Sequence, residues 1–236
     1  MLLLLDVSGS MKRYVEEVAA AAKAALAQMH KEDQVAVMVF ARKTKLRAAF
    51  TRDHAEIARE LRQAARQDGD VGSATLINSA VIEAAGYIGR VRPNAGGRRS
   101  ILILTDNNSM GYKTPDGHVL WALWNGDTVL NAIVTGKGYR PPPPPPGKAL
   151  NPDFTPADVF VLAEQTGGEA VKAQQAGTAF REMLERIRTR YSLHYHLPEG
   201  ARPGSFRTVR VDLSPAARLR HAKAVVRTRR GYYVPE

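Results

Sequence analysis

Asp6, Ser8 and Ser10 sit at alternate positions in "LLLLDVSGSM", residues 2–11, directly after a run of four leucines. A carboxylate and two hydroxyls with no histidine or cysteine beside them are ligands for a hard cation, which prefers oxygen donors. Two further residues strengthen that chemistry. Asp106 closes a second apolar run, "SILILTD" (100–106), and Thr75 lies in "GSATLINSA", where a glycine-bearing loop leads into a helix. Three hydroxyls and two carboxylates make a site of low ligand charge. Mg²⁺ there would keep several waters and one coordination position for an outside oxygen.

The elements that must carry these residues follow from the pattern. Leu2–Leu5 are too few to span a bilayer, which takes about 20 apolar residues. They fit a strand covered on both faces, which reads as an unbroken apolar run. Loops leaving the carboxyl ends of such strands are where open α/β sheets bind their ligands. Val15, Val18, Ala22, Leu26 and Met29 fall at helical spacing. "QVAVMVF" (34–40) and "TKLRAAF" (44–50) read as a hairpin pair, and Asp53 with Glu56 has the capping-box spacing for a helix whose apolar stripe holds Ile57 and Leu61. Ile77, Val81, Ala84 and Ile88 mark the helix after "DGDVGSAT", and "TVLNAIVT" (128–135) is the next strand. The six prolines at 141–146 are polyproline-II-like backbone, read as a stiff surface loop rather than a ligand for a proline-recognising domain. "PADVFVLAEQTGG" is a helix closed by glycine, "GGEAVKA" a short edge strand, and Phe180, Met183, Leu184 and Ile187 mark the last helix. The expected fold is α/β: a Rossmann-like, doubly wound, mainly parallel sheet flanked by helices.

From Tyr191 the pattern changes. "YSLHYHL", "SFRTVRVDL" and "KAVVRTRRGYYV" are three strand-like runs with no helix expected between them, a short antiparallel extension over 191–236 packed on the body over 1–190. Of the formal net charge of +11, this end carries most: residues 181–236 hold 13 Lys/Arg against 5 Asp/Glu. Such a surplus can serve a nucleic acid or another anionic surface, but stacking aromatics and polybasic runs are missing, so a solvated basic face is the plainer reading. His194 and His196 share one face of a strand pattern, with no third ligand in view. Asp70, Asp116 and Asp127 read as loop or cap residues.

Asp6-Val7-Ser8-Gly9-Ser10-Met11, then Thr75, then Thr105-Asp106 resemble the metal-ion-dependent adhesion site of von Willebrand factor type A domains. The resemblance covers roughly residues 1–190. It implies Mg²⁺ or Mn²⁺ at the top of the sheet, with Ca²⁺ able to enter. Ser8, Ser10 and Thr75 would supply hydroxyl ligands, Asp6 and Asp106 would often act through water, and a partner's Asp or Glu would complete the shell. The tail is similar to a subgroup of these domains common in Acidobacteria, whose chains end in a run like Arg227, Arg229, Gly231, Tyr232 and Tyr233. Members of that subgroup usually carry a strand-rich segment before the domain and an export signal, which implies a secreted or periplasmic setting. No signal peptide is visible here, and Met1 is already inside a strand pattern. The expectation is therefore either a cytoplasmic protein or a chain with residues missing before Met1. Asn107 stands where such domains commonly have glycine, and Asn tolerates the backbone angles that position requires.

Enzymatic readings are disfavoured. "DVSGSM" has neither dinucleotide nor P-loop glycine spacing, and Ser8 lacks the G-x-S-x-G elbow. A phosphatase-like aspartate nucleophile would want a second aspartate where Ser8 sits. No cysteine is present, so thiol and zinc–cysteine chemistry are excluded. The sequence thus points to a metal-dependent protein-binding module that is not an enzyme, with an anionic-surface binder as the alternative.

Overall fold

The computed structural model describes residues 1–66, 69–91, 97–109, 114–136, 138, 157–197 and 199–234; the proline run lies outside them. Six strands form one sheet: β1 (Leu2–Asp6), β2 (Val35–Phe40), β3 (Thr44–Thr51), β4 (Arg99–Thr105), β5 (Thr128–Val134) and β6 (Ala170–Lys172). Their order is β3-β2-β1-β4-β5-β6, with β3 antiparallel to β2 and every other neighbour parallel. The chain therefore winds outward in both directions from β1 and β4, the doubly wound arrangement.

Helices cover both faces. The helices α1 (Lys12–Leu26), α2 (His54–Ala64) and α6 (Ala176–Arg188) pack on the face that receives Leu3 and Leu5, while α3 (Ile77–Arg90), α4 (Asp116–Asn125) and α5 (Val159–Gln165) cover the face of Leu2 and Leu4. Alternate side chains of a strand point to opposite faces, so a strand with helices on both sides needs an apolar residue at every step. That is the physical reason for the leucine run, and all four leucines are buried. On α2, Asp53 caps as its spacing predicts, accepting from Ala55 N and Glu56 N at 3.0 Å each. Its own N–H donates to Thr51 Oγ1 at 3.0 Å.

The tail differs from its three-strand expectation. Among its described residues β7 (Phe206–Thr208) and β8 (Gly231–Tyr233) pair, antiparallel, as a separate two-stranded sheet, and Arg229 makes a single bridge to Thr166. Residues 191–197 form neither helix nor strand and are exposed throughout. The expected spacer "SPAARLRH" contains a short helix, α7 (Pro215–Arg220), which Ser214 caps by accepting from Ala217 N at 3.3 Å. Several contacts join β7 and β8 to the body. Trp124 on α4 lies with its ring centroid 4.9 Å from Phe206 and 6.4 Å from Tyr233. Arg230 N donates to Gln165 O at 3.0 Å, and Arg229 pairs with Asp127. Among the described residues, no helix is long and apolar enough to cross a membrane.

Candidate metal centre

The strand order reverses between β1 and β4, and open α/β sheets place ligands in the crevice outside the carboxyl ends of such a pair. In register, Leu5 faces Leu104. One step on, Asp6 lies beside Thr105, and Asp106 projects one residue further. This offset gives the two carboxylates different surroundings: Asp6 is fully buried, whereas Asp106 is half-exposed.

A continuous hydrogen-bonded chain runs through the corner. Thr105 Oγ1 donates to Asp6 Oδ2 at 2.8 Å, and Ser8 N donates to Asp6 Oδ1 at 3.0 Å. Ser8 Oγ is 3.4 Å from Ser10 Oγ, which donates to Asp106 Oδ2 at 2.8 Å. Asp106 Oδ1 accepts from Asn108 N at 3.0 Å, closing the turn after β4. Ser8 stands at the head of a short 3₁₀ turn (Gly9–Met11), yet its side chain makes no capping bond there. The plain helix-cap role for Ser8 is thus not what its hydroxyl does.

Thr75 is buried on the same sheet edge, two residues ahead of the first residue of α3 rather than at its start. Its carbonyl accepts from Ser109 Oγ at 3.2 Å, and Leu76 N donates to Ala41 O at 2.9 Å, just past the end of β2. The structure therefore links Asp6, Ser8, Ser10 and Asp106 through side chains. It brings Thr75 to the same edge through its backbone, and no side-chain bond engages the Thr75 hydroxyl among the described residues.

Electrostatics make the corner anionic. Burial pushes the Asp6 carboxyl up to about 6, against hydrogen bonds from Ser8 and Thr105, and the charge of Asp106 adds to the rise. Among the described residues, neither Asp6 nor Asp106 pairs with Lys or Arg. Nor do three or more His, Cys, Asp or Glu side chains gather as a metal group among them. A cation here would be held by two carboxylates plus hydroxyls.

Three residues outside the expected ligand set support the corner. Thr105 holds Asp6. Asn107 takes φ 57°, in the left-handed region, and its Oδ1 accepts from Val159 N at 3.2 Å. Ser109 Oγ bridges Thr75 O and Ile77 N. The register of two equal apolar runs could have singled out Thr105 as the neighbour of Asp6; the other two depend on elements far along the chain. Of the remaining candidates, His194 and His196 are exposed. Asp70 pairs with Lys45 at 3.1 Å, and Asp116 accepts from Asn78 Nδ2 at 2.8 Å in the first turn of α4.

Known proteins share this fold. The family profile of the von Willebrand factor type A domain matches residues 1–109. No curated protein matches the chain. Among solved structures, an aerotolerance-related membrane protein from Bacteroides fragilis is similar at 17% identity and a TM-score of 0.59, over 80% of this chain and 98% of that one. A von Willebrand factor type A protein from Catenulispora acidiphila is similar at 16% identity and a TM-score of 0.55, over 78% of this chain and 41% of that one. Proximal thread matrix protein 1 from the mussel byssus, solved with zinc in its metal-ion-dependent adhesion site, is similar at 14% identity and a TM-score of 0.58, over 79% of this chain and 46% of that one. At these identities the likeness is one of fold, and this chain spans under half the length of the last two. Residues 1–109 thus match the von Willebrand factor type A family, and the doubly wound fold that continues beyond them is shared with a solved protein of that type.

Proposed function

We propose that Asp6, Ser8, Ser10, Thr75 and Asp106 hold a divalent cation, Mg²⁺ or Mn²⁺, through which the domain grips an Asp or Glu of a protein partner. Domains of this family generally act as interaction modules, commonly through such an ion. The observation that carries the reading is the Asp6–Ser8–Ser10–Asp106 chain, an all-oxygen donor set with a buried carboxylate that no cationic side chain among the described residues pairs with. Oxygen-only donors suit Mg²⁺, Mn²⁺ or Ca²⁺ rather than a soft metal. Bound there, a divalent ion supplies Lewis acidity towards an incoming carboxylate. The protein's part is to orient its oxygens, with Thr105 and the Ser8 N–H fixing Asp6 and the Ser10 hydroxyl fixing Asp106. Because only two of the five ligands are charged, they do no more than balance a divalent ion, and a partner's carboxylate gains a charge-assisted contact by replacing water on it. Ca²⁺, larger and less strict in geometry, can enter the site but supports partner binding poorly. We assign no catalytic role to the site.

The tail weighs against the anionic-surface alternative. Arg227 pairs with Glu169 at 3.5 Å, Arg230 with Glu164 at 2.9 Å, Arg229 with Asp127, and Arg210 and Arg218 both with Asp212. Much of the basic surplus is thus spent within the chain. Residues 191–236 serve in this reading as an extension that braces a binding domain over 1–190. A setting outside the cytoplasm fits such a module.

Two measurements test the proposal. Titrating Mg²⁺ or Mn²⁺ should raise the melting temperature of the chain, and Asp6→Ala should abolish that response; a variant that still responds in full refutes the ligand set. An acidic peptide library screened with Mg²⁺ and again with chelator should yield peptides retained only with the ion, and Thr75→Ala should weaken their retention while leaving the fold intact. Equal retention in both conditions refutes the mechanism even where the ion binds.

A further inference from the structure

The opposite edge of the sheet, where the strands begin, gathers four arginines around one cavity of about 360 Å³. Helices of a doubly wound fold run back against their strands, so their C-termini, with carbonyls left unpaired, collect at this edge. The arginines reach those carbonyls. Arg98 donates to the carbonyls of Arg188, at 3.0 Å, and of Arg190, both at the end of α6. Arg99 donates to Gly126 O and Val91 O, each at 3.1 Å, closing α4 and α3. Arg188 reaches Gln28 O beyond α1, and Arg190 Nη1 donates to Gly167 O beyond α5 at 2.8 Å.

Finishing helix ends does not use up this charge. A helix C-terminus presents about half a negative charge, and among the described residues none of the four guanidiniums pairs with a carboxylate. Two acids stand in the cavity wall, but both are engaged elsewhere. Glu32 pairs with Arg52 at 3.4 Å, and Asp33 Oδ2 accepts from His30 N at 3.0 Å. Among the described residues, the Nε atoms of Arg99 and Arg188 are buried without an acceptor. Among the described residues Arg190 commits Nη1 alone, leaving its Nε–Nη2 edge, the side of the fork that matches an oxyanion in two parallel bonds. Burial pulls the Arg190 guanidinium below its ordinary value, against an upward pull from Glu169, and the charges of Arg227 and Arg98 deepen the fall. A desolvated cation beside other cations gains most from an anion. The remaining wall is mostly apolar, with Phe50 and Ile187 among its side chains, and also holds Gln34, Ser100 and Asn131; pockets of a few hundred Å³ with largely apolar walls and a few convergent polar groups are the usual form of small-ligand sites.

We infer that this cavity binds a small amphipathic oxyanion, a carboxylate or phosphate monoester whose head takes the arginines and whose short apolar tail lies against Phe50 and Ile187. The site is independent of the metal corner at the other end of the strands. The full chain, titrated with hexyl phosphate and with hexanoate, should bind at least one saturably, and the stronger arm identifies the head group. Inorganic phosphate and hexanol, carrying each half alone, should bind more weakly by at least about tenfold, and Arg190→Gln should weaken the amphiphile by a similar factor. Arg190→Lys, which keeps the charge and can still reach Gly167 O, should fall between, so a loss caused by misfolding is told apart from a loss of the fork. Amide shifts should move at residues 97–100 and 184–190 and not at 6–10, and chelator should leave binding unchanged. No saturable binding of either amphiphile at millimolar concentration, equal binding of inorganic phosphate, or undiminished binding to folded Arg190→Gln overturns the proposal.

Discussion

Thr105 and Asn107 flank the position that the motif marks, Asp106, and each does its work through a partner far away in sequence. Thr105 Oγ1 donates to Asp6 and accepts from Asn107 N at 3.1 Å. Thr105→Val keeps the shape but leaves a buried carboxylate and a buried N–H each short of a partner. It should cost about 1–3 kcal/mol in urea unfolding; a loss near zero would show that Asp6 does not depend on that donor. Asn107 combines a positive φ with a side-chain bond to the start of α5. Asn107→Gly keeps the backbone freedom and loses the bond, whereas Asn107→Ala loses the bond and sets a β-carbon in the left-handed region. Alanine should therefore be worse than glycine by about 1 kcal/mol, and the reverse order would contradict the strain argument. The proposed ligands Asp6, Ser8, Ser10, Thr75 and Asp106 could be picked out in the sequence because each is marked by its type and by the strand or helix pattern beside it. The sequence allowed for an unusual turn at Asn107. It could not show that Asn107 holds Val159, 52 residues on, since nothing in either residue's own neighbourhood announces the other.

Elements were legible in proportion to how far their own residues decide them. The helix α1 shows buried Val15, Val18, Ala22 and Leu26 as its spacing requires, and Leu2–Leu5 form a strand because only a strand covered on both faces accommodates four consecutive leucines. Of the three tail strands, the first failed on this criterion. "YSLHYHL" alternates well, but a strand exists only against a neighbour, and 191–197 meets none in either sheet. In "SPAARLRH", Ser214 followed by Pro215 is a helix-start signal, a cap and then proline in the first turn, that the search for strands passed over. Close approaches are likewise invisible in sequence. A β-carbon built on Gly168 would lie 1.7 Å from Leu130 O, because the chain crosses β5 closely before entering β6. Gly168→Ala must push that backbone away and should cost at least about 2 kcal/mol, read as a fall in the urea midpoint; a neutral substitution would mean that β5 and the 167–169 turn do not pack this closely.

Across the whole molecule the sheet has two chemically opposed ends. Strand carboxyl ends present carboxylates and hydroxyls, and strand starts present arginines against helix carbonyls, so a formal net charge of +11 coexists with an anionic corner. The two-stranded tail is attached laterally, beside α4 and α5, and its hold on the body is specific. Trp124 packs at a tilt against Phe206 and Tyr233 while its Nε1 donates to Gln165 O at 3.2 Å, and the same carbonyl accepts from Arg230 N. Two strands of three residues have no stability of their own in water, so β7 and β8 persist because α4 gives their aromatic side chains a surface, and α4 in turn is shielded by them. The exposed segment 191–197 is the natural point of proteolytic attack, and Arg190 offers trypsin a bond just ahead of it. If the two parts depend on each other, a nicked chain should keep its tail bound. A body from which the tail has been stripped should melt lower by roughly 5–10 °C, as expected for a loss of a few kcal/mol in a protein of this size. Both tryptophans lie on α4, but Trp121 is already 52% exposed, so a red shift of emission on stripping reports Trp124 losing Phe206 and Tyr233. Release of a stable 1–190 fragment with unchanged melting and unchanged emission would instead make the tail a passenger, and the ion pairs of Arg227, Arg229 and Arg230 would then be surface contacts without consequence for the binding domain.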